Sequence, residues 1–338
     1  MKPADLKVVM KKFAERKFPL VLSGSPGIGK TEMVKQVAKE IGHDLIITHP
    51  VIGDPTDYKG FPHVCVNNDG KPDRAEFIPF DDLYALMHVK KDTIFFIDDM
   101  GQATSTVQAA LMQLVLGRQV NGKNVSDKVV FFAATNRRED KSGVSRILEA
   151  LKSRFVSIVE VEADVEQWVE WAIENRVDPT VIAFIRFRPN LLNDFEPTAN
   201  LENSPVPRTV NNVSKILSLN IDDEYVTGEL IKGAAGEGFR VEFMQFMKMA
   251  KRLPNITSIL MDPSGADVPE EVDILYALTG AIASQVTLNN IDAVLQYAGR
   301  IPPEFSVKMA KDCKLYEPKI QMTDAFITWC EEHHKYML

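Results

Sequence analysis

Cysteine is scarce in this 338-residue chain. The three present, Cys65, Cys313 and Cys330, stand far apart and lack metal-ligand spacing. That excludes a disulfide framework and a zinc site from the expectation and points to a reducing compartment. Long apolar runs are also missing. No stretch reaches the roughly 18 to 20 residues of a membrane span, and the basic opening MKPADLKVVMKKFAERKFPLVL has no apolar core of signal-peptide length. The expected location is cytoplasmic, with no membrane partner. Nor is there an excess of positive charge: 39 Lys and Arg against 47 Asp and Glu leave a formal charge of −8, which argues against a surface built to hold nucleic-acid backbone. Internal repeats and low-complexity tracts are absent. His333 and His334 stand near the end without converging ligands and read as a solvated helix end rather than a metal site.

What is present is enough apolar material, 45% of residues, for more than one core in a chain longer than an ordinary domain. PLVLSG (19–24), TIFFIDD (93–99) and VVFFAATN (129–136) are short, almost wholly apolar runs. Strands of that kind belong to a parallel sheet covered on both faces, so the expected fold class is α/β. The segment FPHVCVNNDGKPDRAEFI has two β-like stretches around a turn-rich centre, the pattern of a hairpin projecting from the core. After Phe155 the strand signals thin out. DVEQWVEWAIENR, with Asp164 as N-cap, TVIAFIRF, closed by Pro189, and RTVNNVSKILSL predict a helical lid. Helical patterns broken by prolines continue from about 222. The expected division is an α/β core over 1–160, a helical lid over 161–221 and a helical extension over 222–338.

The chemistry is concentrated in GSPGIGKTE. Gly24, four residues, then Gly29-Lys30-Thr31 is the spacing of a phosphate-binding loop, and it stands between an apolar strand and a helix, as that motif requires. Gly24, Ser25, Pro26, Gly27, Ile28, Gly29 and Glu32 complete the candidate loop. The amides of 26–31 would cradle phosphates, Lys30 would reach the β and γ oxygens of ATP, and the Thr31 hydroxyl would take Mg²⁺. In FFIDDM, Asp98 would hold the magnesium through water and Asp99 would orient the attacking water. Alternatively the pair caps the helix starting near Thr104. Asn136 ends the third strand, where an amide can contact the water or the γ-phosphate or simply form a turn. Arg154, before the apolar VSIV, is placed to reach a neighbouring subunit's γ-phosphate. Arg208, in the first turn of a lid helix, faces the wrong end of the helix dipole unless it meets an anion. Each arginine is otherwise an ordinary surface residue. Arg186 and Arg188, just before Pro189, suit a helix C-terminus and the packing of the lid.

Together these residues resemble the AAA+ ATPases, and in detail the MoxR-like branch in its bacterial and phage subgroup. The resemblance rests on DPTDYKGFP, VQAALMQLVLGRQV, FFAATNRREDKSGVSRILEALKSRF and FIRFRPNLLNDFEP, and extends weakly to about residue 305. It implies that GSPGIGKT is Walker A, TIFFIDD Walker B, Asn136 sensor 1, Arg154 the arginine finger and Arg208 sensor 2. It implies that the hairpin near 64–78 is a helix-2 insert pointing toward a ring's pore, and that Arg146 is a second candidate for acting in trans. The implied cofactors are ATP or ADP with Mg²⁺. The implied assembly is a homo-oligomeric ring, taken as a hexamer, that remodels a protein partner, in MoxR-like systems often one with a von Willebrand factor A domain. Two departures stand out. Asp99 replaces the usual glutamate, and Gly101-Gln102 replaces a frequent Asn-Arg pair, so that any role of that arginine is absent or falls to Arg137 or Arg138. The alternatives to a remodelling machine are a slow nucleotide-dependent switch or scaffold, suggested by Asp99, and a nucleic-acid motor, suggested only by KVVMKKFAERK and TNRREDK.

Overall fold

The structure, a computed structural model, describes residues 1–140, 147–198 and 200–333. The chain divides into two compact units, Met1–Glu162 and Ala163–Leu338.

The first unit is α/β. Its helices are α1 (Pro3–Arg16), α2 (Lys30–Glu40), α3 (Asp81–His88), α4 (Ser105–Gly117) and α5 (Glu149–Lys152). Its strands are β1 (Leu20–Ser23), β2 (Asp44–Thr48), β3 (Phe61–Val66), β4 (Pro72–Ile78), β5 (Thr93–Ile97), β6 (Gln119–Val120), β7 (Lys123–Asn124), β8 (Val129–Thr135) and β9 (Ser157–Glu160). Five of them form one parallel sheet in the order β2-β5-β8-β1-β9. The three apolar runs of the sequence occupy its middle, and β5 and β8 are buried at every position. Successive side chains point to opposite faces. Phe95, Ile97, Phe131 and Ala133 therefore pack with Val107, Leu111 and Leu114 of α4, while the other set, Ile94, Phe96, Val130 and Phe132, is buried on the reverse side. A sheet covered on both faces is what all-apolar strands require.

The two edge strands are the ones the sequence did not announce. In β9, Ile158 and Glu160 are exposed and Ser157 and Val159 half-buried; in β2 no residue is fully buried. Edge positions need fewer apolar residues, so their signal is weaker than that of the central strands. Outside the sheet, β3 and β4 form the expected antiparallel hairpin, with a register shift between Cys65 and Val66. Pairing Pro62 with Phe77 and Val64 with Ala75 puts four apolar residues on one face, because directly opposed residues share a side. The other face carries His63 opposite Glu76 and Cys65 opposite Arg74.

The second unit has helices and no strand among its described residues: α6 (Val165–Glu174), α7 (Pro179–Phe187), α8 (Pro207–Leu217), α9 (Glu224–Ala235), α10 (Glu237–Ala250), α11 (Ile256–Met261), α12 (Val272–Ala283), α13 (Ile291–Ala298), α14 (Pro303–Tyr316) and α15 (Asp324–Glu332). Asp164 caps α6, accepting from the Gln167 amide at 3.0 Å. One apolar cluster runs from Trp168 to Ala277, taking residues from both sides of position 221, and a second runs from Ile259 to Trp329. Phe184 is the hub of the first, with ring centroids of Phe239, Phe243 and Phe246 at 5.1, 5.0 and 5.5 Å. Arg186 of α7 is ion-paired with the buried Asp312 of α14, with one of their hydrogen bonds at 2.8 Å. Burial works against the Arg186 charge, but the Asp312 carboxylate outweighs it and holds the guanidinium above its ordinary range. Arg188 lies 4.0 Å over the Phe187 ring and pairs with Glu242.

No described helix is long and apolar enough to cross a membrane, and no group of three or more His, Cys, Asp or Glu among the described residues could hold a metal ion. His333 stacks on Trp329 with centroids 4.3 Å apart; His334 lies outside the described residues.

Phe184→Ala removes a fully buried ring at the centre of that cluster and is expected to destabilise the second unit by about 3–5 kcal/mol. A convenient reporter is Cys313, which is buried and whose thiol burial pushes up. In the wild type at pH 8 a thiol reagent labels Cys65 and spares Cys313, and in Phe184→Ala the midpoint of Cys313 labelling shifts to lower denaturant. Unchanged protection would contradict the packing.

Candidate functional site

Parallel strands end together, so whatever follows them is gathered at one edge of the sheet. At the carboxyl ends of β1, β5 and β8 stand the three polar segments of the sequence reading. Ser23 of β1 pairs with Thr135 of β8 and with Glu160 of β9. The Gly24 amide then donates to the Thr135 carbonyl at 3.3 Å, so the loop leaves the sheet already tied to its neighbour.

The loop turns back through Gly27 at φ 77° and Gly29 at φ 105°, where an L side chain is strained and glycine is not. That turn starts α2 at Lys30. Lys30 is only 6% exposed, and its ammonium donates to the Gly24 carbonyl at 2.8 Å, the Ser25 carbonyl at 3.0 Å and Asn136 Oδ1 at 2.8 Å. An ammonium has three donors, and three oxygens take them. A cation held at the positive end of a helix makes this edge favourable for an anion with several oxygens.

Next in the chain, Thr31 donates from Oγ1 to Asp98 Oδ2 at 2.7 Å. Asp98 is 7% exposed, its amide donates to Thr48 of β2 at 2.9 Å, and its Oδ1 accepts from the Asp99 amide at 3.1 Å. A hydroxyl and a buried carboxylate in contact form an all-oxygen pair of the type that Mg²⁺ selects. The Thr48 hydroxyl in turn is 2.8 Å from the Tyr58 hydroxyl. Burial raises the Tyr58 pKa, with the Thr48 bond opposing it, so the phenol stays protonated and holds the segment after β2 against the strand.

Asp99 has φ 53° and ψ 35°, a left-handed conformation. Among non-glycine residues Asp and Asn are the ones that tolerate it, because their short polar side chains bond locally. The alternative in which the acidic pair caps α4 is not what the structure uses, since Thr104 caps that helix, accepting from the Val107 amide at 3.4 Å.

Lys30 is thus brought together with Gly24, Ser25 and Asn136, and the next residue, Thr31, with Asp98, while Pro26, Gly27, Ile28 and Gly29 form the loop and Glu32 stands in the first turn of α2. Arg154 stands outside the group, in the turn after α5, with its amide bonded to the Leu151 carbonyl at 3.0 Å. Its Nε is buried without a hydrogen-bond partner among the described residues. Arg208 is exposed in the first turn of α8, in the second unit, and Arg146 lies outside the described residues. Thr48 and Tyr58 had not been singled out as site residues. A Thr at the end of an edge strand and a Tyr within DPTDYKGFP carry no spacing signal that links them.

No protein-family model and no curated protein matches the sequence. Among solved structures, the chain is similar to a RuvB point mutant from Thermotoga maritima at 16% identity, covering 82% of this chain and 80% of that one with a TM-score of 0.43. It is also similar to NtrX from Brucella abortus in complex with ADP at 13% identity, covering 98% of this chain and 67% of that one with a TM-score of 0.41. Likenesses this distant do not carry a functional assignment, which has to come from the site.

The left-handed backbone at 99 makes a measurable demand. Asp99→Glu is expected to lower thermal stability while Asp99→Asn and Asp99→Gly leave it equal or higher, a span of about 1 kcal/mol. A Glu variant as stable as the wild type would mean that the conformation imposes nothing.

Proposed function

We propose that this chain binds and hydrolyses ATP with Mg²⁺ as an AAA+ ATPase of MoxR-like type, assembling into a ring, taken as a hexamer, that remodels a protein partner. The observation that carries this reading is the convergence of Lys30, Asn136, Thr31 and Asp98 behind a glycine-supported loop at the helix N-terminus. Thr31 and Asp98 would hold the magnesium, which when bound neutralises charge on the phosphate oxygens. Lys30 has all three donors engaged, so contact with a phosphate exchanges one of those partners. Asn136, if released, would be free to contact the terminal phosphate or the attacking water. Asp99 follows Asp98 directly and would orient that water and draw on its proton. Arg154 would complete the site of a neighbouring copy by meeting its terminal phosphate, and the unsatisfied Nε is consistent with a guanidinium awaiting an anion. Arg208, a cation at the positive end of α8, fits the same need. For a protein partner, the exposed apolar face of the hairpin is the natural contact: Val64, Val66 and Phe77 are 57%, 62% and 41% exposed. A von Willebrand factor A domain is the partner that the family resemblance suggests.

A motor on nucleic acid is less well supported. Lys7 and Lys11 pair with Glu40, and Lys17 with Asp92, which neutralises much of the basic run at α1. The slow switch is favoured by a specific feature, Asp99 in place of the longer glutamate.

Turnover per subunit is expected to rise with protein concentration. Lys30→Ala loses both binding and turnover, and Arg154→Ala loses turnover while still binding ATP. Undiminished turnover in Lys30→Ala would end the reading. Turnover flat and near zero at every concentration, with tight ATP binding and a large gain in Asp99→Glu, would establish the switch instead.

A further inference from the structure

The segment after Asn136 holds a side-chain cluster that the reading above does not use. Arg137 is half-buried, and Asp140, three residues on, is 4% exposed. Asp140 Oδ2 accepts from the Arg137 backbone amide at 3.1 Å and from its Nε at 3.2 Å, and Oδ1 accepts from Nη2 at 2.9 Å. The carboxylate therefore grips both the main chain and the planar fork of one residue, a bidentate geometry that fixes the guanidinium's direction. The remaining nitrogen, Nη1, donates to Glu160 Oε1 at 3.1 Å, with Glu139 at 3.5 Å.

The strand order gives this contact its meaning. Arg137 follows β8, Glu160 ends β9, and β1 lies between them. Two strand spacings, roughly 9–10 Å, separate β8 from β9, and the contact spans the carboxyl end of β1, where Ser23 is in register with Glu160 and with Thr135, two residues before Arg137. An ionic strap thus links the ends of the two strands that flank the root of the phosphate loop. The strap begins one residue after Asn136, whose amide oxygen holds Lys30 at 2.8 Å.

We propose that Arg137, anchored by Asp140 and reaching Glu160, is a positioning residue that fixes the root of the phosphate loop and the Asn136 side chain in one frame. It touches no reacting atom; it acts by keeping Asn136 and Lys30 in register while Lys30 exchanges partners. Arg138, its neighbour, is exposed and has no part in the strap. This proposal rests on the phosphoryl-transfer reading for its kinetic consequence but not for its structural one.

The test uses the full chain carrying Asp140→Ala, Asp140→Asn or Arg137→Ala, with hydrogen exchange and steady-state kinetics measured on each. In Asp140→Ala and Arg137→Ala, amide exchange in peptides spanning 20–30 and 133–137 is expected to speed up about tenfold, with α6–α15 unchanged. Turnover falls by about tenfold while KM stays within about threefold, because positioning in the reacting geometry is lost and ground-state binding is not. Asp140→Asn keeps an oxygen for the Arg137 amide and is expected to fall between the wild type and Asp140→Ala. Unchanged exchange and turnover in Arg137→Ala would overturn the proposal. So would a general loss of melting temperature and nucleotide affinity in both alanine variants, which would make the cluster a plain folding element. If the wild type has no Lys30-dependent turnover, the ATPase reading fails, and the exchange rates alone decide the strap.

Discussion

A buried ammonium organises the carboxyl edge of the sheet. Lys30 cannot stay out of water without compensation, and its compensation comes from two carbonyls of its own loop and one side chain just past the end of β8, more than a hundred residues later. That single group ties the loop to the residue after β8, and Thr31 beside it ties the same loop to Asp98 after β5. It also sets how the site can respond: an ammonium whose three donors are engaged can donate to a new oxygen only by releasing an old one.

The two adjacent aspartates show how neighbouring residues of one type come to sit in different surroundings. Asp98 is buried, bonded to Thr31, and continuous with the sheet through Thr48. Asp99 is turned out of the strand direction by a backbone conformation that few side chains accept. Chain length at position 99 is therefore a matter of backbone as well as reach, and the departure from the glutamate of the resembling family goes with a local geometry that favours the shorter acid.

Much of the core was legible. The central strands were clear because burial on both faces leaves no polar position to blur them, and the loop was clear because glycines at Gly27 and Gly29 are required by φ. The edge strands β2 and β9 were not, since half-exposed strands mix residue types. The cluster after Asn136 reads in TNRREDK only as a charged run and as a place where Arg137 or Arg138 could stand in for an absent arginine; that Asp140 is buried and that Arg137 reaches Glu160 across β1 depends on strand order, which no local pattern encodes. The same holds for Arg186 and Asp312, 126 residues apart, where the sequence suggested only a helix terminus and packing.

That last pair has a consequence for how the chain can change over generations. Losing one member strands a buried charge, at a cost of about 3–5 kcal/mol, whereas replacing both with apolar residues of similar volume is often neutral. Two acceptable states are thus separated by a single-substitution intermediate near the limit of what a marginally stable fold can lose. Lineages carrying this arrangement would cross that gap rarely, and when they do, positions 186 and 312 would move together.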